Sequence, residues 1–197
     1  MIKRIIRYII RRNVVIPEYE EKRAIILSYK KKYNPSIFVE TGTFLGDTIE
    51  CLRKDFKFLY SIELSEELAS RAQARFSAYE NVKIINGSSD VELEHILREV
   101  KEPMLFWLDG HYSGEFTYNN EYIKTAKGDL NTPVVSELEL IFNSELPHVI
   151  LIDDARFFNG TDDYPAIRTL KNMLKKSKVK RELSVKRDII RIVPTSA

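Results

Sequence analysis

The chain has 197 residues and a formal net charge of +2, with 44% hydrophobic and 30% charged residues. These values are typical of one globular domain with its own core, and they exclude a disordered or low-complexity chain. The single cysteine, Cys51, excludes an internal disulfide framework and favours a reducing compartment. Because no apolar run reaches the length of a membrane span and no signal-peptide pattern is found, we expect a cytoplasmic protein.

The start of the chain has a basic amphipathic pattern. Isoleucines recur at helical spacing within residues 1–13, and Lys and Arg side chains fill the opposite side. We predict a separate helix over residues 1–16, ended by Pro17, followed by one domain over residues 17–197. Such a helix suits peripheral contact with an anionic inner-membrane surface or with a partner. Its isoleucines can equally pack on their own domain or on a second copy of the chain in a homo-oligomer.

The remainder alternates short apolar runs with amphipathic stretches, a pattern that predicts βα units in a parallel sheet. We predict an α/β fold with a mostly parallel sheet, closed by an antiparallel hairpin at Leu183–Val185 and Ile189–Val193. The other predicted strands are Ile37–Val39, Phe58–Ile62, Val82–Ile85, Met104–Leu108 and Val149–Ile152. The predicted helices cover residues 18–32 and roughly 47–54, 65–79, 90–101, 134–144 and 165–177.

The first predicted strand runs into a turn with two glycines, and the turn reads Glu40-Thr41-Gly42-Thr43-Phe44-Leu45-Gly46. Glycine is needed where the backbone has a positive φ or where a ligand approaches it closely. The helix that follows offers free N–H groups to an anionic or polar ligand. The turn differs from the dinucleotide fingerprint, whose three glycines are spaced GxGxxG. It predicts a ligand site, although a turn of this kind can also be purely structural.

Glu63 ends the second predicted strand, about 20 residues after the glycine turn, at the position where an acid accepts hydrogen bonds from ribose hydroxyls. The same acid would serve NAD, so it indicates a nucleoside ligand without indicating the chemistry. Glu63 can also be an exposed loop acid or a helix cap.

Two further predicted strands end in aspartates, with Asp109 after one of them and Asp153 and Asp154 after the other. Carboxylates that meet at neighbouring strand ends repel one another unless a cation or a proton joins them. Oxygen ligands in a partly open arrangement suit Mg²⁺. We therefore predict a metal site at Asp109, Asp153 and Asp154, although each acid alone can simply cap the next helix.

Residues 110–133 interrupt the alternation with a polar, aromatic and glycine-containing stretch. A loop of this length inside a compact domain is usually functional or disordered. It follows the carboxyl end of a central strand, where ligands bind in open α/β sheets, so we predict a substrate lid. Within it His111 is a candidate general base, because its unperturbed pKa of about 6.5 lies near neutral pH. A lid residue bonded to the backbone is an equal interpretation of His111.

Taken together, these residues resemble class I S-adenosylmethionine (SAM) dependent methyltransferases over about residues 20–193. The glycine turn resembles their motif I, and the Asp-Gly-His-Tyr-Ser-Gly run from Asp109 resembles the metal-dependent macrocin type of sugar O-methyltransferase. Catechol O-methyltransferases are similar but more distant. The resemblance implies a Rossmann-like class I methyltransferase fold, with Mg²⁺ at Asp109, Asp153 and Asp154. It implies SAM binding by Glu40, Thr41, Gly42, Thr43, Gly46 and Glu63.

The implied activity is methyl transfer to a hydroxyl of a sugar, a glycan or a small molecule, with no nucleic acid partner. Asp109 and His111 are the candidates for the group that takes the acceptor proton. The chain departs from the family after the third strand, where Ser88 and Ser89 follow Gly87 and the acid comes only at Asp90. Ser88 and Ser89 are expected cofactor contacts, although Ser89 can equally cap the next helix.

Two alternative functions belong to other classes of protein. An NAD- or nucleotide-sugar-binding oxidoreductase is disfavoured, because the turn lacks a third glycine and no Tyr-x-x-x-Lys pair follows. A non-catalytic SAM-binding module is supported only by the basic start of the chain.

Overall fold

The computed structural model describes residues 15–195, so the predicted N-terminal helix falls outside the described residues apart from its last two positions. The helices are α1 (Tyr19–Tyr33), α2 (Asp47–Leu52), α3 (Glu66–Phe76), α4 (Ser89–Glu99), α5 (Val134–Phe142) and α6 (Ile167–Leu174), with a short 3-10 helix at Ala155–Phe157. The strands are β1 (Ile37–Thr41), β2 (Phe58–Glu63), β3 (Val82–Asn86), β4 (Met104–Leu108), β5 (Glu115–Tyr118), β6 (Glu121–Lys124), β7 (Val149–Ile152), β8 (Arg181–Lys186) and β9 (Ile189–Pro194).

Seven strands form one sheet in the order β3-β2-β1-β4-β7-β9-β8. The first five are parallel, and β9 runs antiparallel to both of its neighbours, β7 and β8. This arrangement confirms the predicted mostly parallel α/β sheet with a closing antiparallel hairpin. Chain order reverses between β1 and β4, and open α/β sheets bind ligands in the crevice above the strand ends at such a point.

Helices cover both faces of the sheet, because the central strands β1, β4 and β7 are buried along their whole length and, apart from Glu40 and Thr41, are apolar. One core cluster contains Ile26, Leu52 and Phe76 from α1, α2 and α3. The opposite cluster contains Leu93, Leu138 and Leu170 from α4, α5 and α6. Strands buried on both faces read as continuous apolar runs in the sequence, which is why their positions could be predicted.

The predicted lid contains structure that the sequence analysis missed. Strands β5 and β6 form an antiparallel hairpin in which Tyr118 pairs with Glu121. The two residues between them, Asn119 and Asn120, have positive φ angles of 49° and 64°. A two-residue hairpin turn of this hand favours asparagine and glycine, so the Asn-Asn pair was the available signal.

Within residues 15–195, no helix has both the length and the apolar composition that crossing a membrane would require.

Candidate active site

A cavity of about 420 Å³, here called the main cavity, lies above the carboxyl ends of β1, β2, β3 and β4. Its walls include Gly42 and Glu63 from the strand ends, and Ser88 and Ser89 from the start of α4. Segment 110–133 supplies much of the remaining wall, including residues before and after the β5–β6 hairpin. Cavities in this volume range hold cofactor-sized ligands. The predicted lid therefore lies over a cavity at the predicted edge of the sheet.

The two glycines of the turn have different surroundings, although both have a positive φ. A Cβ atom on Gly42 would lie 2.7 Å from the backbone oxygen of Asp109, so only glycine lets the end of β1 approach the end of β4 this closely. Gly46 precedes α2 as its N-cap and packs against the ring of Phe76. Gly46 does not line the main cavity, so its role is in the conformation of the turn and not in direct contact with a ligand there.

Three other residues of the turn are buried beneath it. Ser61 Oγ donates a 2.6 Å hydrogen bond to Glu40 Oε2, and Thr43 Oγ1 lies 2.7 Å from the same serine oxygen. Burial raises the pKa of Glu40 to about 8, although hydrogen bonds from Ser61 and Thr48 oppose the rise. Thr41 is fully buried. These side chains hold the turn from below and do not line the main cavity.

Glu63 lines the main cavity and also fixes the glycine turn. Its Oε2 accepts a 2.8 Å hydrogen bond from the Phe44 backbone N–H, and its Oε1 accepts one of 2.9 Å from the Ser65 N–H. Burial raises the pKa of Glu63, and these backbone hydrogen bonds oppose the rise. Each carboxylate oxygen can accept a second hydrogen bond. Glu63 can therefore hold the turn and still accept hydrogen bonds from a ligand hydroxyl.

The start of α4 is tied to a buried acid that the sequence analysis did not assign. Ser88 is the N-cap residue and Ser89 the first helical residue. Ser89 Oγ donates a 2.6 Å hydrogen bond to Oε1 of Glu137, which lies on α5 and is 1% exposed. Burial raises the pKa of Glu137 to about 7. The available signal was an acid at helical spacing among the apolar residues Val134, Leu138 and Ile141.

The acidic residues at the ends of β4 and β7 form a group that differs from the predicted metal set. One ligand atom from each of Asp109, His111 and Asp154 lies within 4.8 Å of the other two. His111 Nδ1 is 3.4 Å from Asp109 Oδ1, and His111 Nε2 is 3.8 Å from Asp154 Oδ2. Asp153 instead directs Oδ2 to the ammonium of Lys22 on α1. His111 thus takes the position in this group that was predicted for Asp153.

The negative charge of Asp153 is compensated by the ammonium group of Lys22. The other oxygen of Asp153, Oδ1, accepts a 2.8 Å hydrogen bond from the Asp154 N–H. Burial and the nearby Asp109 and Asp154 carboxylates raise the pKa of Asp153 to about 7, against the lowering by Lys22. Burial lowers the pKa of Lys22, but the three carboxylates outweigh burial and raise it. Lys22 therefore stays protonated.

Asp154 and Asp109 also have cationic neighbours. Arg156 Nη1 donates a 2.6 Å hydrogen bond to Asp154 Oδ1 and also pairs with Asp188. Burial lowers the pKa of His111, but Asp109 and Asp154 raise it by more. Because arginine, lysine and histidine groups already face the carboxylates, charge repulsion alone does not require a metal here.

The donor atoms of Asp109, His111 and Asp154 nevertheless fit a divalent cation. Ligand atoms on opposite sides of one ion at 2.0–2.4 Å would lie up to about 4.8 Å apart, which matches the spread of the group. Carboxylates suit Mg²⁺ and Mn²⁺, whereas imidazole suits transition metals. The set is therefore better suited to a divalent transition metal than the all-oxygen set predicted for Mg²⁺.

The β5–β6 hairpin is held in place by contacts from β5 and from the first residue of β6. The Phe44 ring packs 5.9 Å from the ring of Phe116 and 5.5 Å from that of Tyr118. Arg71 on α3 makes two hydrogen bonds of 2.7 and 2.9 Å to the carboxylate of Glu121. The hairpin therefore contacts the glycine turn directly.

Comparison with known proteins bears on the fold alone. No protein-family model and no curated protein matches the sequence. An O-methyltransferase from Bacillus cereus in complex with SAH has a similar structure, with a TM-score of 0.60 at 16% identity, covering 98% of this chain and 90% of that one. TomG from Streptomyces achromogenes, an O-methyltransferase involved in tomaymycin synthesis and solved with SAM, has a TM-score of 0.57 at 16% identity, covering 92% and 82%.

The 23S rRNA methyltransferase ErmE is also similar, with a TM-score of 0.56 at 14% identity, covering 92% of this chain and 70% of that one. The similar structures thus include methyltransferases with different acceptors. The chain has the Rossmann-like fold that these methyltransferases share, and the fold does not identify its acceptor.

Proposed function

We propose that the protein is a SAM-dependent methyltransferase that methylates a hydroxyl oxygen of a sugar, a glycan or a small molecule. The proposal rests on the position of Glu63, which lines the main cavity at the end of β2. Glu63 also accepts a hydrogen bond from the Phe44 N–H in the glycine turn. An acid at this position is suited to ribose hydroxyls. The similar structures solved with SAM and SAH support the choice of nucleoside.

Methyl transfer forms a bond between the acceptor oxygen and the methyl carbon while the sulfur–methyl bond breaks, and its electron pair stays on sulfur. The hydroxyl proton must pass to a base. Asp109 and His111 both line the main cavity and face each other, so either the Asp109 carboxylate or an imidazole nitrogen can accept it. Asp154 and Asp109 favour the protonated imidazole. A divalent cation, when bound, would make a coordinated hydroxyl more acidic.

The two alternative functions fit the geometry less well. In the dinucleotide-binding order 3-2-1-4-5-6 the last strand lies at the edge of the sheet. Here the last strand, β9, is inserted between β7 and β8 and runs antiparallel to both. A non-catalytic SAM-binding module would need no base beside its ligand cavity. Asp109 and His111 lie in the cavity wall, which favours catalysis.

We expect Glu63→Ala to weaken SAH binding by at least about tenfold, because hydrogen bonds to a charged group contribute about 1.5–3 kcal/mol. Titration calorimetry with SAH, and with NAD in parallel, measures the effect. Glu94→Ala is the matched control, since Glu94 is an exposed acid on α4 that pairs with Arg98. Failure of SAH to bind the wild-type protein, or tighter binding of NAD, would contradict the proposed function.

We also propose that Asp109, His111 and Asp154 hold the divalent cation. Mn²⁺ binding followed by electron paramagnetic resonance should weaken by about tenfold or more in Asp109→Asn and in His111→Ala, because each change removes a ligand. Asp153→Asn should bind Mn²⁺ nearly as well as the wild type, since Asp153 faces Lys22. EDTA should lower methyl transfer, and added metal should restore it. Full activity in EDTA would exclude a role for the metal and leave Asp109 or His111 as the base without it.

A further inference from the structure

A second cavity of about 200 Å³, here called the side cavity, lies between α1, α2 and the glycine turn. Helix α1 contributes Lys22 and Arg23 to its wall. Gly42, Phe44 and Asp109 line both cavities, so the two meet at the end of β4. A molecule in the side cavity would therefore reach Asp109, as would a ligand in the main cavity.

The charges around the side cavity leave one cation without a partner among the described residues. Lys22 is paired with Asp153, and the Asp47 carboxylate accepts a 2.7 Å hydrogen bond from Arg75. The Nε of Arg23 is buried and has no hydrogen-bond partner within residues 15–195. A buried polar group without a partner costs free energy, so a partner is expected from a ligand. A guanidinium group matches an oxyanion such as a carboxylate through two parallel hydrogen bonds.

The other walls of the side cavity favour a ring. Tyr19, Phe44, Trp107 and Tyr118 contribute aromatic surface, and Asp109 lies at the junction with the main cavity. A volume of about 200 Å³ lies below the range that suits larger ligands, so it fits a single ring. Aromatic walls pack well against a flat ring.

From these observations, and resting on the proposed function, we propose that the side cavity binds the methyl acceptor and that Arg23 binds a carboxylate on it. The acceptor class is a compact hydroxylated ring that carries a carboxylate. Arg23 would hold the carboxylate, and the hydroxyl would face Asp109, which lines both cavities.

Two matched pairs of probes test this assignment on the protein saturated with SAH. One pair is 3,4-dihydroxybenzoate and catechol, and the other is glucuronate and glucose, so each pair differs in its carboxylate. We expect calorimetry to show that the acid of at least one pair binds about tenfold or more tightly than its neutral partner. Arg23→Met should remove the preference. Arg98→Met, which changes an exposed arginine on α4, should retain it. Equal binding within both pairs, or no binding of either acid, would overturn the assignment.

The alternative ligand for Arg23 is the carboxylate at the amino-acid end of the cofactor. Binding of SAH and of 5′-methylthioadenosine, which lacks that end, separates the two. If Arg23→Met weakens SAH about tenfold but leaves 5′-methylthioadenosine unchanged, Arg23 serves the cofactor and the acceptor assignment is wrong. If SAH fails to bind the wild-type protein, the proposed function fails first, which is a distinct result.

Discussion

Gly42→Ala should lower the free energy of unfolding by about 3 kcal/mol and abolish measurable SAH binding. The positive φ of 87° costs about 1–2 kcal/mol for alanine. The new Cβ would also meet the backbone oxygen of Asp109 at 2.7 Å, and overpacking of this kind costs about 1–3 kcal/mol. Because backbone cannot rotate away as a side chain does, the ends of β1 and β4 must separate. Thermal unfolding and SAH calorimetry measure the two effects.

Gly114→Ala is the matched control for this change. Gly114 has a similar φ of 83°, but a Cβ atom there would meet no atom of the described residues within 4 Å. Gly114→Ala should therefore lower the free energy of unfolding only by the cost of the positive φ, about 1–2 kcal/mol. If the two variants are equally stable and both bind SAH, the close approach of β1 and β4 does not matter.

Lys22→Met should lower the free energy of unfolding by about 2–3 kcal/mol at pH 8. Removing one partner of a buried ion pair costs about 3–5 kcal/mol. The loss is smaller here because the Lys22 side chain is 26% exposed and solvent screens its charge. The loss arises from Asp153, whose side chain is 2% exposed and which must then either bury an uncompensated charge or take up a proton. Chemical denaturation at several pH values measures it.

The pH dependence of the Lys22→Met defect identifies its cause. Asp153 has a pKa raised above the ordinary value of 3.8 to about 7, and removal of Lys22 should raise it further. Because this pKa is raised, Asp153 in the folded state takes up a proton as the pH falls through it. The loss of unfolding free energy caused by Lys22→Met should therefore become smaller on acidification. The double variant Lys22→Met with Asp153→Asn should recover most of the lost stability. A defect that is constant from pH 5 to pH 8 would show that lost packing, and not charge, is responsible.

The sheet could be predicted from the sequence because its signals are local. Ile37–Val39 and Val149–Ile152 are buried on both faces, so each reads as an apolar run that ends in polar residues. The Gly42 turn could be located because positive φ restricts the residue type at that position. The β5–β6 hairpin was missed, because its residues are largely exposed and give no regular apolar alternation.

The arrangement of the acids could be predicted only in part. Asp109 and Asp154 follow apolar runs in the sequence, which predicts that they lie at neighbouring strand ends. The side-chain direction of Asp153 depends instead on Lys22, which lies 131 positions away. Pairing over such a distance leaves no periodic signal. The same holds for Ser89 and Glu137, whose hydrogen bond joins two helices.

The buried acids change the proton content of the folded chain. With pKa values of about 8 for Glu40 and about 7 for Glu137, both acids are at least partly protonated in the folded chain at pH 7. The same two groups are ionised in the unfolded chain, so they release protons when the chain unfolds at pH 7. The folded protein is correspondingly more cationic than its formal charge of +2. The calorimetric enthalpy of unfolding will therefore depend on the ionisation enthalpy of the buffer.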